Sequence, residues 1–385
     1  MPARARRTAV SNRMRGATGW IALGVFVIAF PLFADAPLLR AGQYMMIGSV
    51  GAIGLTLLVG QAGQLSLGHG FFLFFGGTAY CVLSDTGTPG MVGLGLPSVL
   101  ALIGAVVLTA GAGALFSPVA GRLSGIYLGV ATLSLIFIGL YAAQSLPQLT
   151  GGTASGRAPT DISLFGFSLK PDPAGPIVSV FGVPLLQQER TWYFFALLLL
   201  LAYLPASRAV RSRVGRSWRA VRDNENAASI LGVNVMRTKA GAFAVSSAYA
   251  GLAGIMTVLW FGLLKPDESD VGTYGINTSI AFLAMALIGG LGSVRGAVIG
   301  GVLVIGIPQL LGLYASDLPW MDHATEAGFT PTLIGVYAYG AAVVLITCFE
   351  PGGLAGLGRR FSRRAPHPTD RDEAASRTNQ KEHDE

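Results

Sequence analysis

Residues 41–84 read AGQYMMIGSVGAIGLTLLVGQAGQLSLGHGFFLFFGGTAYCVLS, without one Asp, Glu, Lys or Arg. A helix that crosses a membrane needs roughly 20 mostly apolar residues. The stretch is long enough for two such helices, with a tight polar turn near Gln61–Gln64. The rest of the chain agrees. Its 385 residues are 52% hydrophobic and 12% charged, against a usual charged share of about 25%. A soluble globular domain needs more charge on its surface, whereas lipid needs none. The expected fold class is therefore all-α, a polytopic transmembrane helical bundle. Fifty-three glycines and 20 prolines would suggest disorder in a polar chain. Here the glycines sit inside apolar runs, where they let helices approach closely.

The same criterion gives about ten candidate spans, at roughly 19–34, 43–60, 65–83, 97–117, 123–146, 191–206, 239–263, 275–291, 295–314 and 331–349. The loops test this count, because short cytoplasmic loops carry an excess of Lys and Arg. With the basic N-terminus inside, loops after even-numbered spans hold Arg122, the segment 208–239, Arg295 and the Arg359–Arg364 stretch. Loops after odd-numbered spans hold Asp85, a balanced set from Arg157 to Arg190, Lys265 with Asp267, Glu268 and Asp270, and finally Asp317, Asp322 and Glu326. Unpaired basic charge thus falls on one side, and both termini are expected in the cytoplasm. The division is a basic N-terminus at 1–18, a transmembrane domain at 19–350 and a cytoplasmic tail at 351–385, disordered from Pro366. The long outer loop at about 147–190 is rich in Pro and Gly, which suits a short hairpin or lid.

The net charge of +7 comes from 23 Arg and 4 Lys against 20 acidic residues. Its clustering at the loops reads as membrane topology rather than as a nucleic-acid surface. Cys81 and Cys348 both lie in apolar spans, so no disulfide framework is expected. The N-terminus, basic and then apolar up to Ala34-Asp35-Ala36, also has the form of a cleavable signal; a retained first span is preferred.

One long polar segment interrupts the apolar pattern: RAVRDNENAASILGVNVMRTK, residues 219–239. Asp223 or Asn224 is placed to cap a helix, and Glu225 suits the positive end of its dipole. Ala227 and Ala228 would let a partner approach closely, and Gly232 would end the helix. The rival reading is a solvated loop anchored by Arg to lipid headgroups.

Gln61, Gln64, Ser66 and His69 gather near the start of a span. Polar groups at membrane depth are costly unless they face protein or water, so they either line a translocation path or hold helices together. Ser66 and His69 have no acid nearby in sequence, and no catalytic residue is assigned. Asn277, Thr278 and Ser279 open a later span, where they meet a polar solute or cap the helix. Gly292, Gly296 and Gly300 form small-x-x-x-small steps, a helix-packing face. Leu58 to Gln64 also resembles Leu287 to Ser293, a weak internal echo.

Absences narrow the function. No phosphate loop occurs, so the chain is not expected to bind ATP in the usual way. No carboxylate lies well inside an expected span, where proton- or sodium-coupled carriers often place one. The four histidines are scattered, so no metal site is expected, and no cofactor.

The sequence resembles the permease subunits of ABC importers for branched-chain amino acids. Such permeases carry a cytoplasmic Glu-Ala-Ala, three residues, then Gly. Here Ala227-Ala228 and Gly232 match that spacing, with Glu225 displaced by one. Gly60-Gln61-Ala62-Gly63-Gln64-Leu65-Ser66-Leu67-Gly68-His69-Gly70 closely resembles the family's early signature. Gly125-Ile126-Tyr127, Leu149-Thr150-Gly151-Gly152, Ala286 to Ser293 and Glu350-Pro351-Gly352-Gly353-Leu354 are similar to further family features. The resemblance covers roughly residues 40 to 360. It implies a multi-pass protein of the plasma (inner) membrane, not an enzyme. It also implies separate ATPase subunits docking at Asp223, Asn224, Glu225, Ala227, Ala228 and Gly232, a second related permease, and an extracytoplasmic solute-binding protein. Branched-chain amino acids are the expected solute. A urea or short-amide importer is the first alternative, followed by a stand-alone carrier or channel.

Overall fold

The uncharged stretch forms two helices in the computed structural model, which describes residues 24–164, 167–169, 179–180, 183–184, 186–266, 274–314, 331–349 and 353–356. The first, α1 (Ala36–Leu55), has Pro37 in its opening turn, where a missing N–H costs nothing. It continues directly into a π-helical turn, Thr56–Gln61. The second, α2 (His69–Ser84), starts only after non-helical residues 63–68. The remaining helices are α3 (Ser98–Arg122), α4 (Gly125–Ser145), α5 (Gln187–Arg211), α6 (Arg213–Asp223), α7 (Glu225–Ile230), α8 (Val235–Phe261), α9 (Ile276–Gly289), α10 (Val294–Leu313) and α11 (Pro331–Phe349).

Among the described residues, six helices are long and apolar enough to cross a membrane: α1 with its π turn, α3, α4, α5, α8 and α10. The other expected spans differ. α2 and α9 have only 16 and 14 residues. The chain around each leaves helical geometry at glycines, with Gly63 at φ 69°, Gly290 at 102° and Gly292 at 88°. Such backbone is stable at membrane depth only when protein surrounds it. Gln64, Ser66 and His69 are accordingly buried. α11 has 19 residues. The expected first span is helical at 24–29 and ends in a 3-10 turn, Phe30–Leu32. The basic start at 1–18, residues 267–273 and 315–330, and the tail after 356 lie outside the described residues.

α1 and α8 form the centre. Of their apolar windows 78% and 67% are buried, against 22–33% for α3, α4, α5 and α10. α8 packs against α1, α2 and α3, and α10 against α1, α9 and α11. At the α2–α8 crossing, a Cβ on Gly76 would strike the backbone of Gly251. The two helices therefore touch main chain to main chain, as small residues allow. Gly296 and Gly300 of α10 face the carbonyls of Gly289 and Met285 in the same way. Gly292 lies outside that helix, in the turn before it.

In the long loop, two short antiparallel pairs occur, Ser163–Leu164 with Phe167–Ser168 and Ser179–Val180 with Val183–Pro184. They are the described exceptions to an all-α fold. The junctions gather at two ends of the bundle. Gly60 meets Gly292, Gly63 meets Arg222, and Gly121 meets Met236 at one end. Asp85, Val92, Leu149, Arg157 and Leu264 meet at the other.

Candidate functional site

The polar segment folds as two short helices seated on one end of the bundle. α6 buries Trp218 and Val221 on one face, and Ser212 caps it by accepting from the Val214 N–H at 3.2 Å. Of the two caps open to α7, Asn224 is used: its Oδ1 accepts from the Ala227 N–H at 2.9 Å. Gly232, at φ 82° with open space around it, turns the chain away. This left-handed geometry suits glycine best.

The tip of α7 faces outward. Ile230 and Leu231 are 85% and 81% exposed, whereas Ala228 is 1% exposed. Ala228 is thus small because it packs inward, and the apolar contact surface belongs to its neighbours. Sequence reasoning missed Ile230 and Leu231. Two adjacent apolar residues at the end of a polar helix were the available signal.

Two ion pairs and a set of arginine hydrogen bonds anchor the segment. The Lys239 ammonium, 4% exposed, meets Glu225 Oε1 at 2.7 Å. Arg222 pairs with Asp223 at 3.0 Å, and its Nη1 donates to the Gly60 carbonyl at 2.6 Å. Arg219 Nη1 donates to Gln61 Oε1 at 3.0 Å and to the Val210 carbonyl at 2.9 Å. Gln61 Nε2 in turn donates to the Gly292 carbonyl at 2.7 Å. A polar cavity of about 220 Å³ lies beneath, lined by Gly63, Gln64, Ser124, Arg222, Glu225 and Lys239 among others. Sequence reasoning treated these arginines as topology signals or as anchors to lipid headgroups, not as ties to the bundle.

The candidate path residues separate into three places. Gln61 and Gln64 adjoin the polar segment. His69 and Ser279 lie deeper, where Ser279 Oγ accepts from the Gly70 N–H at 2.8 Å and ties α2 to α9. The His69 ring stands edge-on to Phe282 at 5.1 Å, and its Nε2 is buried without a hydrogen-bond partner among the described residues. Ser66 is buried. Asn277 lies elsewhere again, lining a cavity of about 240 Å³ with Tyr44, Ile47, Thr257, Phe282 and Gln309. Among the described residues no group of three or more His, Cys, Asp or Glu is placed to hold a metal ion.

The opposite end holds a hub that sequence reasoning counted only as loop charge. The Arg157 guanidinium, 1% exposed, reaches Asp85 Oδ2 at 2.7 Å, the Val92 carbonyl at 2.7 Å and the Leu149 carbonyl at 2.8 Å. Its own backbone pairs with Leu264. Burial pushes the Asp85 carboxyl up. The N–H groups of Gly87 and Thr88, the Thr88 hydroxyl and Arg157 outweigh burial and hold it at about 2, below its ordinary 3.8.

These features define a polytopic membrane protein with a folded polar segment seated on one end of its helical bundle. Residues 39–327 match the family described as the permease component of the branched-chain amino acid transport system, and the chain belongs to that family. It is 30% identical over 298 residues to the high-affinity branched-chain amino acid transport system permease protein LivM of Salmonella typhimurium, covering 76% of this chain and 67% of that one. It is 26% identical over 264 residues to the corresponding permease protein LivH of that organism, covering 68% and 80%. With BraD of Pseudomonas aeruginosa it shares 24% identity over 310 residues, covering 79% and 90%. No solved structure matches the chain. The family is one of transporter permeases, not an enzyme class.

Proposed function

We propose that this chain is a permease subunit of an ATP-driven ABC importer that carries branched-chain or related small amino acids into the cell. Membership of the family and the names of its relatives support the solute. The capped helix α7, offering Ile230 and Leu231 at the basic end of the bundle, is the observation that carries the coupling. The sequence has no phosphate loop, so separate ATPase subunits supply the energy. They grip the surface formed by Asp223, Asn224, Glu225, Ala227 and Gly232, with Ala228 supporting it from within.

The finer arrangement follows from this reading. The chain crosses the inner membrane about ten times, α2 and α9 making up their length with irregular backbone enclosed by protein. Both termini face the cytoplasm, since basic loops do. A second, related permease completes the path, in keeping with LivM and LivH both being permease proteins of one organism. An extracytoplasmic binding protein docks on the loop at about 147–190, which Arg157 braces. Asn277 and its neighbours form the polar lining that a zwitterion meets on the way in. Gln61, Gln64, Ser66, His69 and Ser279 shape the joint below it. ATP binding and hydrolysis shift the bundle between two states that differ in their affinity for the ATPase arrangement.

The test is uptake by vesicles holding the purified complex. Leucine and valine are expected to accumulate only with ATP on the ATPase side. Uptake of urea but not leucine moves the assignment to an amide importer. Uptake by this chain alone, without ATP, makes it a carrier or channel.

A further inference from the structure

Gln61 stands where the polar segment meets two breaks in the bundle. Its amide is 4% exposed and engaged at both ends: Oε1 accepts from Arg219 Nη1 at 3.0 Å, and Nε2 donates to the Gly292 carbonyl at 2.7 Å. Turning the amide over would break both bonds. Next to it, Arg222 Nη1 holds the Gly60 carbonyl at 2.6 Å. Gly60 and Gly292 are so close that a Cβ on Gly60 would strike the Gly292 backbone. Gly353 presses on Gly290 from the other side. Two joints, one between α1 and α2 and one between α9 and α10, are therefore fastened to each other and to α6. No compliant side chain lies between Gly60 and Gly292 to absorb a displacement.

The fastened piece contains a turn that departs from α-helical geometry. Gly60 and Gln61 end a π-helical turn, Thr56–Gln61, a form that is rare and usually local to functional sites. Conversion of that turn to α-helix changes the register by one residue, which rotates the following side chain by about 100°. Gln61 would then leave both its partners.

We propose that Arg219, Gln61 and the Gly292 carbonyl form a relay. It positions the two joints against each other and carries a displacement of α6–α7 into α1 and α10 together. Arg219 and Gln61 are positioning residues in this scheme, and neither touches the solute. The relay rests on the reading that ATPase subunits grip α7.

The experiment uses the whole transporter in proteoliposomes, with all results normalised to inserted complex. Three quantities are read: ATPase retained on purification, ATP hydrolysed and solute taken up. Gln61→Glu is close to isosteric, keeps an acceptor for Arg219 and removes the donor to Gly292. Gln61→Met removes both relay contacts, and Arg219→Met removes one of them together with its bond to the Val210 carbonyl. In each variant the ATPase is expected to remain bound while uptake per ATP falls roughly tenfold, the scale of one charge-assisted hydrogen bond. In uptake per ATP the double variant Gln61→Met with Arg219→Met should be no worse than Gln61→Met alone, because the two are coupled through one contact, and the bond from Arg219 to the Val210 carbonyl lies within the polar segment. Arg219→Lys should restore part of the coupling. Unchanged uptake per ATP in Gln61→Glu and Gln61→Met, or additive losses in the double variant, overturns the relay. If the wild-type chain retains no ATPase at all, the docking reading fails first, and the relay falls with it.

Discussion

Arg157 and Asp85 lie on different elements, yet their side chains meet at 2.7 Å with the guanidinium 1% exposed. The pair closes the end of the bundle opposite α7. Two further carbonyls, of Val92 and Leu149, share the same guanidinium, so one side chain ties both to Asp85 while the Arg157 backbone pairs with Leu264. Breaking a buried pair leaves an uncompensated charge. Arg157→Met is expected to cost about 3–5 kcal/mol, read as a lowered thermal midpoint in detergent and faster proteolysis of the loop at 147–190. An unchanged midpoint would show that the hub is not a structural brace.

The same pair predicts the response to acid. Asp85 titrates at about 2 in the folded protein against its ordinary 3.8. Its folded-state value is depressed, so its stabilisation is complete above pH 3.8 and is lost as pH falls through about 2. Loop proteolysis by an acid-stable protease should rise across that interval in the wild type. Asp85→Asn should flatten the dependence. A wild-type profile with no change between pH 4 and pH 2 contradicts the assignment.

Leu231→Asp tests the docking surface. The side chain is 81% exposed, so the isolated subunit should keep its thermal midpoint within about 0.5 kcal/mol of stability. Loss of one apolar anchor at an interface costs on the order of 2 kcal/mol. Retention of the ATPase should therefore fall roughly thirtyfold. Equal retention in wild type and variant would place the grip elsewhere.

Ala227 and Ala228 separate docking from folding. Phe at Ala228, which is 1% exposed, overpacks the segment at a cost of about 1–3 kcal/mol and should lower the thermal midpoint. Phe at Ala227 should leave the midpoint in place and weaken ATPase retention. The reverse pattern would mean that α7 is seated the other way up.

Much of the fold was legible because lipid imposes a simple rule on composition. The uncharged stretch at 41–84 forms two apolar helices with a break near Gln61–Gln64. Of the basic junctions expected on one side, those near Arg122, 208–239 and Arg295 share one end, and the Arg359–Arg364 stretch lies outside the described residues. What escaped was geometry without a composition signal. A π turn differs from an α-helix only in which carbonyl each N–H chooses, and TLLVGQ carries no mark of that choice. The short α2 and α9 read as full spans because buried irregular backbone is as apolar in sequence as helix. At the candidate site, capping chemistry and the bend at Gly232 were readable locally. The partners of Arg219, Arg222 and Arg157 were not, since each contact joins segments far apart in the chain. The burial of Ala228 was equally hidden, because Ala-Ala is small whichever way the helix turns.

The burial of α1 and α8 has a consequence for biogenesis. α1 leaves the ribosome well before α8 and α10, yet most of its surface is shaped to meet protein rather than lipid tails. Its chief neighbours α8 and α10 are synthesised much later. Until they arrive, Gly48, Gly51 and Gly54 with Gln43, Ser49 and Gln61 of the α1 region, all buried in the finished bundle, have only lipid or the insertion machinery for company. Amino-terminal fragments ending before residue 235 should therefore linger at the insertion site and be degraded rapidly. Addition of the chain through α10 marks the point at which the nascent protein can leave for the open membrane.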